Sequence, residues 1–115
     1  MIRAYRQGEI QIDDAVFRET VIVSASMIET AREIQSNADL SNPAVAGPLA
    51  LRMRALEPEL VLIGTGPRQV FPPAEFRAQF LKANIGIEVM DSGAACRTFN
   101  VLVGERRRVV ALLMT

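Results

Sequence analysis

Two short segments hold residue types at spacings from which a small-molecule site can be built. The first is Gly64-Thr65-Gly66, which follows the apolar run LVLIG and comes before a helical stretch. Paired glycines let backbone N–H groups approach a phosphate or carboxylate, which is how dinucleotide-binding turns begin. The third glycine of that fingerprint is replaced by Gln69, however, and the next helix starts only around Pro73. A phosphate held there would not rest on the helix N-terminus. Glu88 and Asp91 stand about where a ribose-binding acid belongs. The segment reads first as a conformational turn, then as an anion or partner contact, and last as a dinucleotide site.

The second segment runs from Asp91 to Asn100. Ser92 is a natural N-cap, and the free N–H groups of Gly93 and Ala94 would make a small anion-binding end. Arg97 and Asn100, three residues apart, share the polar side of that helix. Arg68 and Gln69 from the preceding crossover loop can line the same cleft, at the strand C-termini where open α/β sheets bind ligands. The candidate ligand-binding set is therefore Gly64, Thr65, Gly66, Arg68, Gln69, Asp91, Ser92, Arg97 and Asn100. Against it stands a structural reading, which the sequence favours: Arg97 pairs with Asp91 or Glu88, and Asn100 satisfies a loop backbone.

Catalytic chemistry finds little material. The chain has no histidine, which excludes a histidine base, a Ser-His or Cys-His pair, and the usual zinc ligand sets. Cys96 lies in the first turns of its helix but on the apolar face, where a cysteine is small core packing. Ser92 and Thr65 have no base beside them. No catalytic residue, metal or cofactor is expected. Thirteen basic and thirteen acidic groups cancel, which argues against a grip on nucleic acid or a membrane surface. The halves differ: residues 1–59 carry six basic and nine acidic groups, residues 60–115 seven and four. The run Arg106-Arg107-Arg108 reads as solvated surface. No stretch reaches the ~18 apolar residues of a membrane span, and MIRAYRQGEI lacks the apolar core of a signal peptide. With a lone cysteine, these features predict a cytoplasmic protein.

The elements that must position these residues follow from pattern. Residues 1–25 read as an antiparallel β-meander, with strands at 2–7, 9–12 and 16–24 and a turn at Gly8. Residues 26–59 are an irregular segment and a helix. SMIETAREIQ has some helical spacing at Ile28, Ala31 and Ile34. Pro48 suits the first position of a helix carrying Leu49, Met53 and Leu56. Residues 60–115 are a β-α-β-α-β half. LVLIG is a strand covered on both faces, and Phe76, Phe80 and Leu81 mark the buried side of the crossover helix. IGIEVM pairs parallel to the first strand. A helix follows with Ala95, Cys96, Phe99, Leu102 and Val103 inward, and VVALLM is a final buried strand.

The motifs GTGPRQ-FPP (Gly64 to Pro73) and GIEVMDSGAACRTFNVLVGERRRVVALLM (Gly86 to Met114) resemble the domain of unknown function 498 family (Mth-like domain). That family includes the mitochondrial assembly factor three of respiratory complex I and many small bacterial proteins. The resemblance implies an α/β, three-layer single domain with a central mixed sheet flanked by helices, one strand running against the others. It implies no established chemistry. The expected function is a non-catalytic binding or assembly module with a protein partner or self-association. The alternative is a small anionic-ligand binder or enzyme using the Gly64–Gly66 and Asp91–Asn100 cleft.

Overall fold

The computed structural model describes residues 1–115. Its centre is a five-stranded sheet of order β5-β4-β8-β6-β7, with β4 (Val21–Val23), β5 (Ile28–Thr30), β6 (Leu60–Thr65), β7 (Gly86–Met90) and β8 (Val109–Met114). β6 runs parallel to both β7 and β8, whereas β4 is antiparallel to β8 and to β5. One strand, β4, thus opposes the other four.

The two central strands are buried at all six positions, and their alternation divides the core in two. Val61, Ile63, Val110, Leu112 and Met114 point to one face, where helices α1 (Pro43–Arg54) and α2 (Ala74–Leu81) complete a cluster of 16 buried residues. Leu60, Leu62, Val109, Ala111 and Leu113 point to the other, closed by α3 (Ser92–Gly104) and a small three-stranded sheet formed by residues 2–17 in a cluster of 13. The period-two alternation of a strand buried on both sides produces the three layers. On the α2 side, Phe76 and Phe80 meet edge to face at 5.3 Å, and both are buried.

Four local expectations are corrected. The meander is β1 (Ile2–Arg6), β2 (Glu9–Ile12) and β3 (Ala15–Phe17) alone. The run Val21–Val23 leaves it to join the central sheet, because those three fully buried residues need cover on both faces. Ile28–Thr30 is an exposed edge strand rather than helix; the inward Ala31 and Ile34 are joined by a turn, with the Ile34 N–H donating to the Ala31 carbonyl at 3.1 Å. α1 begins at Pro43, not Pro48: Asn42 caps it by accepting from the Ala44 N–H at 3.1 Å. Pro48 sits inside the helix on an exposed face, where solvent can take the carbonyl it leaves unpaired. Leu81 is 58% exposed, since the inward stripe of α2 runs through Phe76 and Phe80, four residues apart.

Candidate functional site

β6, β7 and β8 all end at the same edge of the sheet, so the turn after β6 and the start of α3 come together as expected. Their polar groups face one another rather than outward. Ser92, with no exposed surface, accepts from the Gly66 N–H at 2.8 Å and donates to the Met114 carbonyl at 2.6 Å. Its own N–H donates to the Gly66 carbonyl at 2.8 Å. One hydroxyl therefore ties the ends of β6 and β8 to the head of α3. The helix cap is Asp91, one residue before the expected Ser92: its Oδ1 accepts from the Ala94 N–H at 2.9 Å. An aspartate does the capping, which releases the serine for the cross-tie.

The glycines serve the same closure. A Cβ on Gly64 would lie 2.9 Å from Ser92 Oγ, 3.0 Å from Leu113 Cδ2 and 3.1 Å from Ala95 Cβ. Gly66 holds φ at +90°, which other residues reach only at a cost. Thr65 Oγ1 donates to the Arg68 carbonyl at 2.5 Å and accepts from the Val70 N–H at 3.0 Å, pinning the crossover loop. Gln69 Nε2 donates to the Val89 carbonyl at 2.9 Å, on β7. Asn100 binds both backbone groups of Ile2: Oδ1 accepts its N–H at 3.0 Å and Nδ2 donates to its carbonyl at 2.7 Å. That locks β1 onto α3.

Arg68 and Arg97 remain. Both are exposed, and neither guanidinium makes a hydrogen bond or ion pair, so the expected pairing of Arg97 with Asp91 or Glu88 does not form. Of the nine candidates, Asn100 alone lines one of the five main surface cavities.

Cys96 is buried against the small sheet. Burial pushes its thiol up to about 11, with Arg97 opposing and Asp91 adding to the rise. At pH 8 its thiolate fraction is then on the order of a thousandth. Alkylation of the native protein by iodoacetamide at that pH should be far slower than that of the urea-unfolded chain; equal rates would contradict the burial. The sign for stability follows. A thiol raised in the folded state favours folding at low pH, and that contribution fades as pH climbs from 9.0 towards about 11.

Sequence reasoning missed Tyr5. Its hydroxyl donates to the Thr115 carbonyl at 3.2 Å beside the α3 head, and burial raises its pKa first, with Cys96 and Asp91 adding. As the single tyrosine of the chain, it carried a compositional signal that no local pattern tied to residues so distant in sequence as Asp91, Cys96 and Thr115. The Arg106-Arg107-Arg108 run is only partly free. Glu59 accepts from the Arg108 N–H at 2.9 Å and from Arg107 Nε at 3.4 Å. Those bonds, the backbone one foremost, hold its carboxyl below the ordinary range.

No helix is long and apolar enough to cross a membrane, and no three acidic or cysteine side chains gather as a metal site.

Known proteins are similar to this chain. The 13 kDa major membrane protein of Francisella tularensis subsp. holarctica is 32% identical over 97% of this chain and 88% of its own length. The NADH dehydrogenase [ubiquinone] 1 alpha subcomplex assembly factor 3 of Danio rerio is 41% identical over 61 residues, 51% of this chain and 35% of that protein. The NMR structure of a Xanthomonas campestris protein superposes with a TM-score of 0.84 at 31% identity, covering 99% of this chain and 83% of that one. A family model matches residues 2–114, and the chain belongs to the family it describes, protein of unknown function (DUF498/DUF598).

Proposed function

We propose that this domain is a non-catalytic binding module that holds a protein partner during assembly of a larger complex. One observation carries the reading: the polar side chains that a ligand or transition state would need are spent on the chain's own backbone. Ser92, Thr65, Asn100, Asp91 and Gln69 each bond main-chain groups, and the one thiol is buried and protonated. Preorganised groups aimed at a reacting atom, which electrostatic catalysis requires, are missing from that set. The relative from Danio rerio named as an assembly factor supports the same reading. A buried lone cysteine suits a reducing compartment, and cytoplasmic residence is part of the proposal.

Beside the spent loop, Val70 and Phe71 present apolar surface, 46% and 64% exposed, with Arg77 stacked 5.8 Å from the Phe71 ring. An exposed aromatic flanked by arginine is the composition of a protein-binding hot spot. Crosslinking followed by affinity capture from the source cell should retain a stoichiometric partner on the wild type. Phe71→Asp, with an unchanged circular dichroism spectrum, should lose it. Recovery of the bare protein in both cases would overturn the proposal. A second reading rests on the unpaired Arg68 and Arg97. A nucleotide or carboxylate that raises the Tm of the wild type but not of Arg97→Ala would favour an anionic-ligand site instead.

A further inference from the structure

At the opposite end of the sheet, a cleft changes character along its length. Its first part, a cavity of about 310 Å³, lies between the small sheet, α3 and the β4–β5 hairpin; nine of its thirteen lining residues are apolar. Its walls include Ile12, Val23, Met27, Phe99 and Val103. Its second part, of about 460 Å³, carries Arg106, Arg107 and Arg108. Ser24, Ala25, Ser26 and Val103 line both parts, so the two meet around the hairpin turn. We propose that this cleft binds a single-chain anionic amphiphile, with its alkyl tail in the apolar part and its carboxylate or comparable head at the arginine run.

Three observations support the assignment. The apolar part has the size of a small ligand site, which begins at roughly 300 Å³: it suits one alkyl chain and is too small for a two-chain lipid. Met27 and Met1 contribute flexible, polarisable side chains that adapt to a tail's shape. The head site holds a cation, Arg106, that forms no ion pair. Glu59 already binds Arg107 and the Arg108 backbone, and Arg108 Nε donates to the Glu57 carbonyl at 3.2 Å. Arg106 has no such bond. Asp13, on the rim of the apolar part, pairs with the N-terminal ammonium at 3.0 Å, and neither Glu57 nor Glu105 forms an ion pair with Arg106. Arg106 also holds φ at 62°, in the left-handed region. Glycine would adopt that conformation more readily, so an arginine there supplies a charge at the expense of backbone ease.

The probe is decanoate, kept below its micellar concentration, added to the full chain while methyl NMR signals are followed. Decanoate should shift the Met27, Val23 and Val103 methyls saturably. Decanol, the same tail with a neutral head, should bind about tenfold more weakly, as loss of a charge-assisted bond implies. Acetate should not move these signals. Arg106→Gly keeps or improves the fold, because it removes the left-handed arginine, and should bring decanoate down to the affinity of decanol. Val103→Asp should abolish both. Absence of saturable shifts overturns the proposal, as does equal binding of decanoate and decanol to the wild type. Acetate acting as well as decanoate would mean a bare anion site. An acidic apolar peptide shifting these methyls where decanoate does not would mean protein docking; either result overturns the amphiphile assignment.

Discussion

Ser92→Ala should lower the stability of this domain by about 3 kcal/mol, although it removes a single oxygen. The hydroxyl has no exposed surface and serves two main-chain groups, the Gly66 N–H and the Met114 carbonyl. Both are buried, and alanine offers neither a partner. A buried polar group left unsatisfied costs about 1–3 kcal/mol, and two are orphaned together. Gly64, Ala95 and Leu113 pack around the same point. Urea denaturation should show a lower midpoint with an unchanged slope, which marks a change of stability rather than of compactness. An Ser92→Ala protein as stable as the wild type would contradict the cross-tie. It would also revive Ser92 as a group kept for chemistry.

Gly64→Val should cost a similar amount, about 3 kcal/mol, at the upper end for overpacking a core. The first carbon of any side chain there already falls within 3.1 Å of three atoms, and valine adds two methyls to a strand buried throughout. β6 cannot back away, since it is hydrogen-bonded to β7 on one side and β8 on the other. The two substitutions should not add. Removing Ser92 Oγ clears the nearest of the three contacts, so the double variant should lose less than the separate losses combined. Strict additivity in a double-mutant cycle would show that Gly64 and Ser92 do not share one space.

The C-terminal half was legible because each of its elements obeys one pattern without conflict. Leu60–Thr65 and Val109–Met114 are short continuous apolar runs, and the AACRTFN helix keeps a regular inward stripe, so strand, helix and strand are distinguishable by length and period. The misreadings fall where two patterns fit the same residues. Ile28, Ala31 and Ile34 are spaced by three, which serves a helix; instead a turn buries Ala31 and Ile34, and Ile28 stays on the exposed edge strand. Two prolines, Pro43 and Pro48, can each open α1, and only the Asn42 cap decides between them. The site divided in the same way. Which residues meet was readable, because parallel strands must end together. Which atoms they bond was not: Asp91 and Ser92 are adjacent N-cap residues, and only tertiary geometry assigns the cap to one and the cross-tie to the other. Asn100 bonds backbone, as its structural reading had it, but that of strand β1 at Ile2 rather than of a loop.

The strand order carries a consequence for how the molecule comes into being. β8, the last strand along the chain, occupies the middle of the sheet, between β4 and β6. Without residues 109–114, the five-stranded sheet falls into two separate ribbons, β5-β4 and β6-β7, each with a bare hydrogen-bonding edge. The central sheet therefore cannot close during synthesis until those residues leave the ribosome, when β8 pairs with β4 and β6. Assembly of the sheet is a single late event, and until then Val21–Val23 and Leu60–Thr65 are open to wrong strand partners.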